Sequence, residues 1–178
     1  NQQFMNEELT PKNANRLALG LARQRRIHYR EAEAILRSLT LKLVIDSASC
    51  QSVAFQAALL TAFNSGNRAF LKGVSVEMPP DVKLLLPLSG YASLNDALRI
   101  TGFVPHNITE PSQTIYFGHS PKNPAENACR VDCDGWRSAV SDFNQNPEFS
   151  YGLCDDIAPG GVCAGAMAVH RCFLKATD

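Results

Sequence analysis

The sequence lacks a glycine-rich phosphate-binding loop and the common catalytic histidine patterns. Neither G-x-G-x-x-G nor a P-loop occurs in its 178 residues, and the four histidines form no H-x-x-x-H pair. No serine stands in a nucleophile-elbow context. These motifs bring backbone N–H groups to a nucleotide phosphate, hold zinc, or activate a nucleophile. We therefore expect no catalytic residue of these kinds and no cofactor.

The chain also lacks net charge and any long hydrophobic run. Seventeen basic residues balance seventeen acidic ones, which argues against a nucleic-acid partner. The longest apolar run, around Leu84–Leu88, is far shorter than the roughly 20 residues that cross a bilayer, and no signal-peptide pattern begins the chain. We expect a cytoplasmic protein with no membrane partner. One local basic cluster is predicted to be the solvated side of a helix pair: Arg23, Arg25, Arg26 and Arg30.

Cysteine is plentiful, but its spacing indicates free thiols. The six cysteines stand at positions 50, 129, 133, 154, 163 and 172. An even number suits a disulfide framework in a small secreted protein. Here Cys163 and Cys172 fall in an apolar helical pattern, and a domain of this size needs no cross-links. We predict reduced, mostly buried thiols.

A zinc-stabilised domain is an alternative for the same residues. Zinc takes four soft donors arranged tetrahedrally, and the candidates are Cys129, Cys133, Cys154 and His119. A C-x3-C pair followed by a lone cysteine matches no strong zinc pattern. We therefore expect no metal.

Residues 1–40 are predicted to form a helical hairpin packed on the same domain as the rest of the chain. Thr10 and Pro11 make a helix cap followed by proline at the first helical position. A break near Ile27 and His28 is followed by apolar residues at helical spacing. Residues 1–4, which precede Met5, are expected to be a remnant outside the fold.

Residues 41–178 alternate β-rich runs with helical patterns. The runs "LKLVID", "GVSVEM", "DVKLLLPL", "TIYFG" and "CRVDCDGW" are predicted strands. A helix after the first run should end at 64–66, Ser93 with Asp96 resembles a capping box, and 141–158 is irregular before a last helix that begins near Gly161. The order αα-βα-ββα-ββ-α predicts a layered α/β fold: a mixed, mainly parallel sheet with flanking helices, preceded by the helical hairpin.

The first strand-to-helix junction, "IDSASCQS", is a candidate ligand site because ligands of open α/β sheets bind at the carboxyl ends of the strands. It offers Asp46, Ser47, Ser49 and Cys50. Cys50 could be a thiolate activated by the helix N-terminus, and Asp46 an acid or base. A helix cap at Asp46 or Ser47 and a half-buried Cys50 thiol form the favoured alternative.

"DCDGW" is a second candidate, for a cation. Asp132 and Asp134 alternate on a strand and so project to one face, but one pair is too few ligands for calcium. A strand end and turn anchored by Trp136 is the favoured interpretation.

The last helix, "PGGVCAGAMAVHRCFLKA" at 159–176, is rich in small residues. Gly160 and Gly161 could hold an anion at a helix start. Alternatively, Gly165, Ala168 and Cys172 form a surface of small atoms that lets a neighbouring backbone come close. Close packing is favoured.

This closing helix resembles the Gly/Ala-rich helix of bacterial ThiF-like proteins, relatives of the ubiquitin-activating enzymes. The stretch "LVIDSASCQSVAFQAALLTAFNSGNRAFLKGVSVEMP" resembles a segment that some of these proteins carry ahead of their adenylating domain. The family's ATP loop, arginine, magnesium-binding acid and catalytic cysteine have no counterpart here. The resemblance implies an accessory or degenerate domain without the catalytic half, which would follow residue 178.

Two functions follow from these observations. As an accessory domain, the chain would act in dimerisation or in binding a protein partner, either an adenylating domain or a ubiquitin-like substrate. It would then show an exposed apolar patch. As a small-molecule or nucleotide-binding enzyme, it would show a polar pocket near Asp46, Ser49 and Cys50 or at Gly160 and Gly161.

Overall fold

A five-stranded sheet lies at the centre of the fold in a computed structural model that describes residues 15–100, 108–118, 123–143 and 156–178. The strands are β1 (Thr40–Ile45), β2 (Gly73–Glu77), β3 (Gln113–Phe117), β4 (Ala128–Asp134) and β5 (Arg137–Asp142). The helices are α1 (Arg16–Arg25), α2 (Tyr29–Ser38), α3 (Val53–Ala69), α4 (Leu94–Ile100) and α5 (Ala158–Thr177).

The strand order is β2-β1-β3-β4-β5, with the first four strands parallel and β5 antiparallel to β4. The chain leaves β1 on one side to form β2 and returns on the other side to form β3. The direction of winding therefore reverses between β1 and β3, which is where open α/β sheets place their ligand crevice. The predicted α/β fold, mainly parallel sheet and N-terminal helix pair are confirmed.

Helices α3 and α5 cover one face of this sheet. Leu41, Leu43 and Ile45 of β1 alternate toward that face and are at most 3% exposed. Asp142 of β5 points to the same side, where Arg171 of α5 donates to it over 2.7 Å. The core therefore lies between the sheet and two helices that also pack closely on each other.

The N-terminal helices begin and end at clear signals. The Asn15 side chain accepts a hydrogen bond from the Leu17 amide at 2.9 Å, and Arg26 ends α1 in the left-handed conformation with φ 57°. Their buried residues, which join the common core, are Ala18, Leu21, Ala32 and Leu36. The four arginines of the basic cluster are all exposed. The expected cap at Thr10 and Pro11 lies outside the described residues.

Helix α3 continues past its predicted end. Gly66 is inside the helix, where a Cβ would stand 2.9 Å from Cδ2 of Leu41. The glycine is thus required for packing against β1, and α3 runs on to Ala69. The predicted stop at 64–66 is wrong because the same residue type serves close packing and helix ends.

The predicted strand "DVKLLLPL" is also wrong, since this segment makes one isolated bridge, between Lys83 and Ser93. The buried side chain of Gln56 holds it instead. Its Nε2 donates to the carbonyls of Cys50 at 2.9 Å and Lys83 at 2.8 Å, and its Oε1 accepts from the Leu85 amide at 2.9 Å. Backbone groups bonded to a side chain are not available to a sheet.

Strand β5 is not among the predicted strands, and only its last two residues fall in the stretch 141–158 that is predicted to be irregular. It follows β4 through Gly135, whose φ of 60° makes the tight turn. The predicted cap of α4 is confirmed, because the Ser93 hydroxyl accepts from the Asp96 amide at 3.1 Å.

Within the described ranges, no helix has both the length and the apolar character that crossing a bilayer requires.

Candidate functional site

The crevice between the carboxyl ends of β1 and β3 is filled by the chain itself. Ser49, which follows β1, is 6% exposed. A Cβ on Gly118, directly after β3, would lie 2.1 Å from the Ser49 hydroxyl oxygen. Gly118 has φ +80°, so glycine fits both the backbone and the narrow space. Ser49 therefore occupies the place where a ligand of an open α/β sheet would lie.

Asp46 shapes this junction. Its carboxylate accepts a hydrogen bond from the Ser49 amide at 2.7 Å, and its carbonyl accepts from the Cys50 amide at 3.0 Å. Ser47 is exposed at the tip of the turn. Asp46 therefore caps and stabilises this turn.

Cys50 is 1% exposed, and burial together with the negative charge of Asp46 raises the pKa of its thiol to about 11. The attacking form of cysteine is the thiolate. Burial and the raised pKa keep Cys50 protonated at neutral pH. The geometry therefore does not favour an activated thiolate at this position.

The N-terminus of α3 is occupied by a carboxylate that sequence reasoning missed. Asp156 accepts from the Ser52 hydroxyl at 2.8 Å, from the Val53 amide at 2.6 Å and from the Ala54 amide at 2.8 Å. The freed N–H groups of a helix start are the groups that bind phosphate in nucleotide sites. Here the chain supplies its own anion to them, from a residue about 100 positions later in sequence.

The start of α5 is equally closed. The helix begins at Ala158 rather than near Gly161, so both glycines lie in its first turns. A Cβ on Gly160 would lie 2.5 Å from the Gly135 carbonyl oxygen, and one on Gly161 would lie 1.8 Å from the Ala54 carbonyl oxygen. Both positions thus face backbone carbonyl oxygens, which do not attract an anion.

The small residues farther along α5 lie at its contact with α3 and the sheet. A Cβ on Gly165 would lie 2.3 Å from the Ala58 carbonyl oxygen. Ala168 and Cys172 are fully buried, and the Cys172 sulfur lies 3.5 Å from the Cys129 sulfur of β4. Gly161 and Gly165, four residues apart, bring the backbones of α3 and α5 together.

The two aspartates of β4 are paired with arginines rather than open to a cation. Asp132 is fully buried and accepts from Arg130 at 2.7 Å, and Asp134, 7% exposed, accepts from Arg137 at 2.9 Å. The predicted strand end and turn are present, because β4 ends at Asp134 and the chain turns directly into β5, but Trp136 is 79% exposed and does not anchor the turn by burial. Gly135, with its positive φ, makes the turn instead.

The described part of the chain contains no group of three or more metal-ligating side chains. Of the zinc candidates, Cys129 and Cys133 are buried thiols on β4. Burial and the charges of Asp132 and Asp156 raise the pKa of Cys133 to about 12. Cys154 and His119 lie outside the described residues. Among the described residues four cysteines are buried and Cys163 is exposed, so the prediction that most thiols are buried is confirmed there.

Apolar side chains are exposed along one side of α5. Val162, Met167 and Leu174 are 46%, 53% and 39% exposed, and Cys163 and Ala166 are exposed between them. Trp136 stands next to Gly135, which Gly160 of α5 contacts. We call Val162, Cys163, Ala166, Met167 and Leu174 the outer face of α5.

The fold is an α/β domain with a mainly parallel sheet, in which Ser49 and Gly118 lie close together between the ends of β1 and β3. Comparison with known proteins identifies its family. Residues 40–178 match the model of the family described as BilD N-terminal domain, and the chain belongs to that family.

A curated relative is the bacterial E1-like protein BilD from Collimonas sp. (strain OK412), which is 28% identical over 141 residues. The match covers 76% of this chain and 31% of that protein, so the chain spans about a third of its relative's length. No solved structure matches. The resemblance is therefore confirmed at the level of an N-terminal domain of an E1-like bacterial protein.

Proposed function

We propose that this chain is a non-catalytic accessory domain of a ThiF-like adenylating system and acts by binding protein. The lack of catalysis is supported by the crevice, where Ser49 fills the space between β1 and β3. It is also supported by Asp156, whose carboxylate takes the amides at the start of α3. A nucleotide phosphate would have to displace both.

The observation that carries the interaction role is the outer face of α5. Val162, Met167 and Leu174 are large apolar side chains exposed on one helix, and exposed apolar surface is typical of a site that a protein covers. From 159 to 170 the helix has no acidic residue, lysine or arginine. Its basic residues Arg171 and Lys175 turn to Asp142 on the sheet. The part of the outer face from Val162 to Met167 therefore carries no formally charged side chain and suits an apolar protein surface.

The partner we propose is an adenylating domain, a ubiquitin-like substrate, or a second copy of the chain. The name of the Collimonas relative describes an E1-like protein, and about two thirds of that protein lies outside the match. A cytoplasmic location remains part of the proposal.

The test measures association of the full chain with itself and with the unmatched part of the Collimonas relative, by analytical ultracentrifugation and calorimetry. Met167→Asp places a charge in the middle of the outer face. We expect at least a tenfold loss of affinity, the size of a moderate interface residue. Arg25→Asp, exposed on α1, is the control and should bind as the parent does. Equal binding by the two variants would remove the outer face from the proposal.

Nucleotide binding tests the proposed lack of catalytic function. Calorimetry with ATP at millimolar concentration should show no appreciable heat of binding to the chain alone. Micromolar affinity would favour the alternative, a nucleotide-binding enzyme with its site at the strand ends near Asp46, Ser49 and Cys50.

A further inference from the structure

Two buried cysteines face each other across the interface between the sheet and α5. Cys129 on β4 and Cys172 on α5 are both 0% exposed, and their sulfur atoms lie 3.5 Å apart. They are 43 positions apart in sequence, so only the fold brings them together. A disulfide has an S–S length of about 2.05 Å, and the sulfurs need to approach by roughly 1.5 Å to form one.

Ion pairs beside the two cysteines connect α5 to the sheet. Cys129 is paired with Asp142 in the β4–β5 ladder. Asp142 in turn binds Arg171 and Lys175, which flank Cys172 on α5. The ion pairs therefore fasten α5 to the sheet beside the two sulfurs. The hydrogen bond with Cys129, and then burial, raises the pKa of Cys172 well above the ordinary thiol range, so the protonated thiol is favoured.

We propose that Cys129 and Cys172 form an oxidation site at which a peroxide converts the dithiol to a disulfide between β4 and α5. Because burial disfavours the thiolate here, as it does at Cys50, the first step is slow compared with that of an activated cysteine. One sulfur attacks a peroxide oxygen while its proton passes to the oxygen that leaves. The S–O bond forms, the O–O bond breaks, and with hydrogen peroxide one water leaves. The second sulfur then attacks the resulting sulfenic acid. The S–S bond forms, the S–O bond breaks, and the second water leaves, so two thiols are oxidised and one peroxide is reduced.

Hydrogen peroxide is the suitable oxidant because it is small and uncharged, while both thiols lie inside the core. The cross-link would tie α5 to the sheet covalently. It would close a long segment of chain that includes β5, and closing such a loop restricts the unfolded chain. This inference does not depend on the proposed interaction role.

The experiment treats the full, folded chain with hydrogen peroxide, quenches it, blocks remaining thiols in denaturant, and maps linked peptides by mass spectrometry. We expect a Cys129–Cys172 peptide that dithiothreitol releases. The oxidised protein should also unfold at a higher urea concentration than the reduced protein, and reduction should reverse that shift.

Cys163→Ser is the matched control, because Cys163 is exposed and should not be needed for the link. Cys172→Ser should abolish it, with circular dichroism verifying that this variant is folded. If the parent protein stays folded and yields no Cys129–Cys172 peptide while Cys163 is oxidised, the proposal is refuted. The proposal is also refuted if the linked peptide forms only when the peroxide treatment is done in denaturant.

Discussion

Gly165 is the position at which the packing of α5 on α3 can be tested with a single carbon atom. Substitution to alanine adds a Cβ 2.3 Å from the Ala58 carbonyl oxygen, and 3.0 Å from the carbonyl carbon. The clashing atoms belong to the backbone of a helix, so no side chain can rotate away. Helix α5 would have to move from α3 by roughly 1 Å, with a loss of dispersion contacts along the interface.

Gly165→Ala should therefore lower the free energy of unfolding. Overpacking a well-filled core costs about 1–3 kcal/mol, and a clash with backbone belongs at the upper end of that range. Replacing glycine by alanine within a helix gains about 1 kcal/mol. The expected net loss is about 2 kcal/mol. Gly165→Leu should be worse.

Gly20→Ala is the matched control. Gly20 also lies inside a helix, α1, but a Cβ there has nothing within 4 Å. This variant should gain about 0.5–1 kcal/mol from helix propensity alone. Urea unfolding followed by circular dichroism measures both. If Gly165→Ala is as stable as the parent while Gly20→Ala gains stability, the close contact does not exist and the packing argument fails.

Three further changes test other contacts. Gln56→Leu should cost about 2–4 kcal/mol, because it removes the partner of the buried Cys50 carbonyl and of the part-buried Lys83 carbonyl and Leu85 amide; urea unfolding with unchanged stability would contradict the role of this side chain. Asp156→Ala should cost about 1 kcal/mol, because the Val53 and Ala54 amides lose their acceptor while the Ser52 cap of α3 remains, and Asp156→Asn, which keeps one acceptor, should cost less. The pKa of Asp142 is lowered by its hydrogen bond to Lys175 and by Arg171. Its contribution is therefore complete above the unfolded-state pKa of about 3.9 and disappears as pH falls through the lower folded-state pKa. Asp142→Asn should cost up to about 1 kcal/mol at pH 7 and nothing at the lowest pH, so an equal cost at both would exclude the ion pairs as its origin.

The sequence allowed the sheet to be predicted where strands alternate cleanly. The β-rich runs of β1, β2 and β3 were found because their apolar residues recur at every second position and turn residues bound them. The resemblance of the last helix to ThiF-like proteins also pointed to an E1-like bacterial protein, which the comparisons support. These signals are local, and each can be seen within about ten residues.

What escaped prediction depends on contacts between distant segments. Asp156 precedes α5 in sequence, so its capping of α3 cannot be seen locally. Gly66 and Gly161 have the local appearance of a helix end and a helix start, yet both are packing residues whose neighbours lie far away in sequence. The segment from Leu84 to Leu86 has the composition of a strand, but Gln56, from α3, bonds the Lys83 carbonyl and the Leu85 amide and so keeps the segment out of the sheet.

The contact between α3 and α5 also has a genetic consequence. At Gly161 and Gly165 the obstructing atoms are the carbonyl oxygens of Ala54 and Ala58, and every amino acid carries that oxygen. A harmful substitution at either glycine therefore has no suppressor among side-chain replacements at the facing positions. Compensation would require a change that moves a whole helix, so selections for second-site revertants should recover the original glycine rather than changes at Ala54 or Ala58.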